Sequence, residues 1–292
     1  MRKQERIQVR QNEDEMLRTQ AAAKSYYNRA EKQNLIAFVI SVFSVFTMFM
    51  TKGENQICNF LVTWAPAICG VIVYLFYTLM TRNVERASKL RDYFDAYVLE
   101  IGDLPTTDNE KRSITELVRK ANKGRDKKTS IQMNNTGRDN PPGVKDWYEF
   151  SKEFPDEQAV YECQRQNIWW SKKLVNKAIF INAIVALLIL VFGIVMSVWG
   201  SIDSAVTALI IFAITYFLTF ADRIKNYLAY EKISCEIDGI NAAIAHSGNK
   251  EQMLFLQEKI NDRRELPVLG INYMHIKDSA KIAKQYEEIS SK

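Results

Sequence analysis

Histidine is nearly missing from this chain. It has two, His246 and His275, too few and too isolated from each other for a metal site or a catalytic triad. Cysteine is also sparse. Cys58, Cys69, Cys163 and Cys235 show no paired spacing, which argues against a disulfide framework or a zinc site. They read as free thiols in or beside a reducing cytoplasm, with Cys58 alone near an outer face. There is no glycine-rich phosphate loop, no serine nucleophile elbow and no Cys–His pair. The expectation is therefore a protein that is not an enzyme, with no cofactor or metal. Period-two alternation and hairpin signals are lacking too, so the chain reads as all-α. The polar N-terminal region is too long for a cleaved signal peptide, and Met48-Phe49-Met50-Thr51 offers no small-residue cleavage site.

The most informative absence is of charge. Four stretches contain no Lys, Arg, Asp or Glu: Leu35 to Thr51, Gln56 to Thr81, Ala178 to Ile202, and Ser204 to Ala221. Each is close to the roughly 20 residues that cross a bilayer core of about 30 Å. The composition is 47% hydrophobic and the mean hydropathy is −0.20, so the average hides two different materials. Buried helices of a large soluble protein are the alternative, but the remaining chain is too polar to cover four apolar helices.

Basic residues set the orientation. Arg18, Lys24, Arg29 and Lys32 precede the first stretch, and Arg82, Arg86, Lys89 and Arg91 follow the second. Lys172, Lys173 and Lys177 lead into the third, and Arg223, Lys225 and Lys232 follow the fourth. Between the first pair stand only Lys52 and Glu54, and between the second pair only Asp203. The positive-inside rule then places both termini and the middle segment in the cytoplasm. Trp64 and Trp199 fit an outer aromatic belt, with Tyr74 and Tyr77 near the inner one. The Asn134-Asn135-Thr136 sequon falls on the wrong side of the membrane for glycosylation. The expected fold is an all-α membrane protein with four transmembrane helices in two hairpins and helical cytoplasmic extensions. Its parts are a cytoplasmic N-terminal helix or tail (1–33), hairpin one (34–81), a cytoplasmic middle helical domain (82–175), hairpin two (176–222) and a cytoplasmic C-terminal helical domain (223–292).

Along the chain, helices are expected from Met16 to Lys32, past the second span to about Gly102, and from Asn109 to Lys123. Gly124 to Val144, with its Pro141-Pro142-Gly143 brake, reads as a flexible or substrate-facing loop. Asp156 to Lys177 reads as one helix running into the third span, with Pro155 at its start. Beyond the fourth span a helix continues to Gly248, another covers Glu251 to Arg264, and a last one begins at Asn272. The two halves share a plan, a weak pseudo-repeat without convincing sequence alignment.

The four stretches hold no Asp, Glu, Lys, Arg or His, which weakens a pump or secondary transporter. Asn182, Ser41, Ser44 and Thr215 are the pore-lining candidates; the plainer reading has such groups bonding their own helix backbone or gluing neighbours. A four-helix unit fills its own centre, so a pore requires several copies around a shared path. The most distinctive cytoplasmic stretches are Asp146-Trp147-Tyr148 and Cys163-Gln164-Arg165-Gln166-Asn167-Ile168-Trp169-Trp170. On a helix the second offers a guanidinium, three amides and two indoles over two turns, suited to a phosphate and a stacked base. The plainer reading is that Trp169 and Trp170 anchor the helix at the membrane surface while Arg165 pairs with a nearby carboxylate. Arg263-Arg264 is a second cationic pair, ordinarily a solvated helix end.

These strings, together with Tyr93-Phe94-Asp95, Val98-Leu99, Asp262-Arg263-Arg264, Pro267 and Tyr273, resemble the SMODS-associated four-transmembrane effector family. Its members are expected pore-forming proteins of bacterial anti-phage (CBASS) systems. The similarity runs from about Arg18 to the C-terminus, although Val98 to Asp103 lacks the Pro-Trp expected after the leucine. The resemblance implies activation by a cyclic di- or trinucleotide made during infection, loss of inner-membrane integrity, and cell death in abortive infection. It makes the cyclic-nucleotide synthase a functional partner rather than part of a stable complex, and it implies a homo-oligomer. Residues expected to bind or transmit the signal are Asp146, Trp147, Gln164, Arg165, Asn167, Trp169, Trp170, Arg263 and Arg264. A non-pore membrane scaffold or receptor, a membrane-embedded enzyme and a constitutive channel are the rivals; the net charge of +5 separates none of them.

Overall fold

A computed structural model describes residues 1–48, 56–199, 222–223, 225–244, 249–268, 285–286 and 288. Its helices are α1 (Lys3–Arg10), α2 (Asp14–Met48), α3 (Gln56–Leu99), α4 (Asp108–Asn122), α5 (Asp126–Asn134), α6 (Asp156–Trp199), α7 (residues 225–244) and α8 (Lys250–Glu265). Among the described residues there is no strand, only an isolated parallel bridge between Thr136 and Lys145. The described part of the protein is all-helical.

Three helices pass without a break from polar to apolar sequence. α3 and α6 are 44 residues each, about 66 Å at 1.5 Å per residue. That is about twice a bilayer core, so each apolar part continues as a rigid rod into the polar domain. α2 packs along α3 through small residues: Ala22, Ala23 and Ala30 are completely buried, as is Ala87 opposite. Without bulk at these positions the two backbones approach closely. The apolar part of α2 turns Leu35, Ile36, Val39 and Phe43 outward, and α3 turns out Trp64, Ile68, Val71 and Tyr74. A contiguous exposed apolar belt of this kind marks a surface meant for lipid or protein. Among the described residues one helical stretch, Ala67–Leu99, is both long and apolar enough to cross a membrane.

The polar domain has its own core, where Ile7, Phe94, Leu99, Tyr148, Cys163, Ile237, Leu256 and Ile260 pack together. Burying each large side chain contributes roughly 1.5–3 kcal/mol, and the set ties α1, α3, α6, α7 and α8 into one body.

One expectation requires correction. Gly124 to Val144 is not a loop throughout: α5 lies inside it, with Thr129 and Gln132 buried. Its apolar pattern is too thin to announce a helix, and docking on α2 stabilises it, as in the bond from Arg125 Nη1 to Ser25 Oγ at 2.9 Å. The N-terminal segment begins with helix α1, pinned by its charges. Lys3 and Arg10 reach Glu100 at 2.6 and 2.7 Å, and the Lys3 amide donates to Asp156 at 2.8 Å. Glu100 stands at φ 53 just past the end of α3, so the three-cation cluster around it, which includes Arg6 at 3.6 Å, holds a backbone conformation that costs about 1–2 kcal/mol. The expected helix from Asn272 onward lies outside the described residues apart from positions 285, 286 and 288.

Candidate functional site

A cavity of about 260 Å³ opens where α2 and α6 approach their apolar parts. Its walls come from α2, α3, α6, α7, α8 and the segment 137–149. The lining carries the cations Lys24, Arg91, Arg138, Arg263 and Arg264 against the carboxylates Glu31, Asp146 and Glu149. Aromatic faces come from Tyr27, Trp147, Trp170, Tyr230 and Tyr286, and amides from Asn28, Gln166 and Asn167.

Segment 137–149 reaches the cavity because α5 folds it back. The Gly143 amide donates to Thr136 O at 2.6 Å and the Val144 amide to Gln132 O at 2.8 Å. From the other side, Asn12 bonds both the Asp146 amide, at 3.1 Å, and the Asp146 carboxylate, at 2.7 Å. Asp146 sits at φ 51, a left-handed conformation that aspartate tolerates better than most residues. Gln11 grips Tyr148, accepting from its amide at 2.7 Å and donating to its carbonyl at 3.1 Å. These two side chains just past α1 thus set the position of Trp147.

Behind the cavity lies a buried polar network. Asp95, 1% exposed, accepts from Tyr148 Oη at 2.5 Å, Arg264 Nη1 at 2.7 Å and Gln257 Nε2 at 3.1 Å. Asn167 Nδ2 donates to Tyr148 Oη at 2.7 Å. Gln164 Nε2 donates to Met253 O at 2.9 Å and to Gln257 Oε1 at 3.1 Å. Burial pushes the Tyr148 hydroxyl and the Cys163 thiol well up, so both stay protonated. Burial pushes Asp92 up to about 6, with Arg264, 3.5 Å away, acting the opposite way.

The cations are not equivalent. Arg264 has Asp95 and Asp92, Arg138 bonds Glu149, and Lys24 Nζ donates to the carbonyls of Pro142 and Gly143. Arg91 instead places its guanidinium carbon 3.9 Å from the Trp147 ring centroid, and Arg263 lies 5.5 Å from that of Tyr230. Burial, then Arg264, makes the charge on Arg91 harder to hold, and burial is also the first cause for Arg263.

Of the residues expected from sequence, Asp146, Trp147, Asn167, Trp170, Arg263 and Arg264 line this cavity. Gln164, Arg165 and Trp169, expected to bind or to transmit the signal, are not in its wall. The helix turns them elsewhere: Gln164 to α8, Arg165 to Glu162 at 2.9 Å, and Trp169 against Tyr286 at 5.3 Å. Ser41 and Ser44 are buried, and Ser41 Oγ donates to Ala37 O at 2.9 Å. Asn182 has a described place on α6, but its side chain lies outside the description, as does all of Thr215. Lys24 and Arg91 read in the sequence only as topological charges, and Gln166 only as one amide of the 163–170 string.

Residues scattered along the chain in the family-like strings, Asp95, Tyr148, Asn167 and Arg264, thus meet in one network. A family model described as the SMODS-associating 4TM effector domain matches residues 5–236. That span covers α1 to α6 and the start of α7, with α8 beyond it. No curated protein and no solved structure shows significant similarity to the chain. Since the match covers most of its 292 residues, the chain belongs to the SMODS-associating 4TM effector family.

Proposed function

We propose that this protein is a membrane effector switched on by a cyclic di- or trinucleotide, and that several copies then assemble to open or rupture the bacterial inner membrane. It is read as crossing that membrane four times, through hairpins at 34–81 and 176–222, with both termini cytoplasmic. The single observation carrying the reading is the cavity. Guanidinium groups and aromatic faces converge in it, the combination that holds a phosphate and stacks a base. It sits at the point where α2 and α6 turn apolar.

Transmission follows from the same geometry. A phosphate near Arg264 competes with Asp95 and Asp92 for its donors. Loss of those bonds frees α8 from α3 and unsettles Tyr148, which also holds Asn167 on α6. Because α3 and α6 are continuous with their apolar parts, a shift at one end moves the other. A ligand acts this way to the extent that it prefers the shifted state. The reading assigns no catalytic step, and the synthase supplies the signal without remaining bound.

Dye release from liposomes carrying the purified protein, screened against cyclic di- and trinucleotides, tests the proposal. Release with one nucleotide and silence with the others supports it and names the signal. A folded, inserted protein silent with every nucleotide overturns it in favour of a membrane scaffold that recruits a cytoplasmic partner.

A further inference from the structure

Two guanidinium groups in the cavity lack the partner that a buried charge needs. Arg263 is 3% exposed, and its Nη1 has no hydrogen-bond partner among the described residues. Arg91 Nε is buried in the same condition. Among the described residues no carboxylate forms an ion pair with either. Burying a cation without a counter-charge costs several kcal/mol, and an aromatic face recovers only part of that. Arg264 raises the cost for both by repulsion, and the more distant carboxylates Asp95, for Arg91, and Asp238, for Arg263, offset part of it without forming an ion pair. Lys24, whose ammonium is held by two carbonyls, adds a further positive charge to the same wall.

An arrangement that is costly when empty is explained by what fills it. We infer that Arg91 and Arg263, with Lys24, form the seat of a phosphate ester, whose oxygens supply the missing acceptors. Trp147 lies against Arg91, and Gln166, in the same lining, is an amide available to the group the phosphate carries. The seat deepens the cavity reading above and rests on it. A soluble cyclic nucleotide and the headgroup of an anionic phospholipid present the same phosphate chemistry, so the experiment has an arm for each.

The full-length protein in non-ionic detergent is tested by thermal unfolding and calorimetric binding, with three probes. These are sodium pyrophosphate, a panel of 3′,3′-cyclic dinucleotides, and short-chain phosphatidylglycerol. Arg91→Met and Arg263→Met keep the apolar stem and remove the fork; Arg119→Met, on the exposed face of α4, is the control. At least one probe is expected to stabilise the wild type, and each cavity variant to weaken that probe about tenfold or more. The unliganded variants are expected to melt no lower than wild type, because an unpaired buried charge has been removed. Lower melting or loss of fold in both makes these arginines structural and overturns the seat. So does a wild type that binds none of the probes, or variants that bind as wild type does. Binding of phosphatidylglycerol without any cyclic dinucleotide retains the seat and removes the nucleotide reading. Tight cyclic-dinucleotide binding unaffected by either substitution removes the seat and leaves that reading standing.

Discussion

Tyr148 joins three parts of the chain that are distant in sequence. Its hydroxyl donates to Asp95 on α3 and accepts from Asn167 on α6, while its backbone is gripped by Gln11. Tyr148→Phe keeps the ring packed but leaves two buried groups short of a partner, at a cost of about 1–3 kcal/mol. A denaturant midpoint equal to that of wild type contradicts a structural role for the network. Lys24 yields a pH dependence. Burial first, then Arg91 and Lys128, lowers its ammonium from 10.5 to about 8. Between those values the unfolded chain binds more protons than the folded protein, so folding stability rises with pH across that window. Affinity for a phosphate ligand has the opposite trend, because the seat loses a cation as pH climbs through 8. Calorimetry on both sides of that value should show weaker binding at the higher pH, with a flatter profile in Lys24→Met. A wild-type affinity independent of pH there takes Lys24 out of the seat.

At the scale of elements, the α5 fold-back is the most sharply constrained piece. A Cβ on Gly143 stands 1.8 Å from Asn135 O and 2.6 Å from Gln132 O. Both atoms are backbone of the element it packs on and have no rotamer in which to move away. Gly143→Ala is expected to cost about 3 kcal/mol and to expose the segment 137–149 to limited proteolysis; resistance equal to wild type shows that the contact can relax. α1 has a comparable task at the other edge. Gln11→Ala removes both clamps on the Tyr148 backbone and is expected to loosen Trp147. The outcome is weaker ligand binding with α-helical circular dichroism unchanged; binding at wild-type strength would mean that packing alone holds the strap.

For the whole molecule, three rods and a polar body make one continuous object. In the orientation proposed from Lys and Arg, that body faces the cytoplasm. Cys235 is exposed on α7, whereas Cys69 and Cys163 are buried. In a Cys58→Ser background, a membrane-impermeant maleimide should therefore label Cys235 in inside-out vesicles and not in intact spheroplasts. Labelling from the outer side reverses the orientation.

The apolar stretches and the helical class were legible in the sequence, because each depends on short-range composition. Asp156 running without a break to Trp199 follows from helical periodicity meeting a charge-free run. The strings holding Asp95, Asp146, Asn167 and Arg264 were also visible, as a family likeness. Which of those side chains share a cavity was not, since a one-residue step on a helix turns a side chain by about 100°. That step separates Asn167 and Gln166, in the wall, from Arg165, which is turned to Glu162. α5 was hidden because its stability comes from docking on α2 rather than from its own pattern. Arg91 reads in sequence as one more cytoplasmic charge among four. Only the folded molecule leaves it beside Trp147 with no ion-paired carboxylate among the described residues, because pairing is decided by which chain segments pack around a group, and those come from residues far away along the chain.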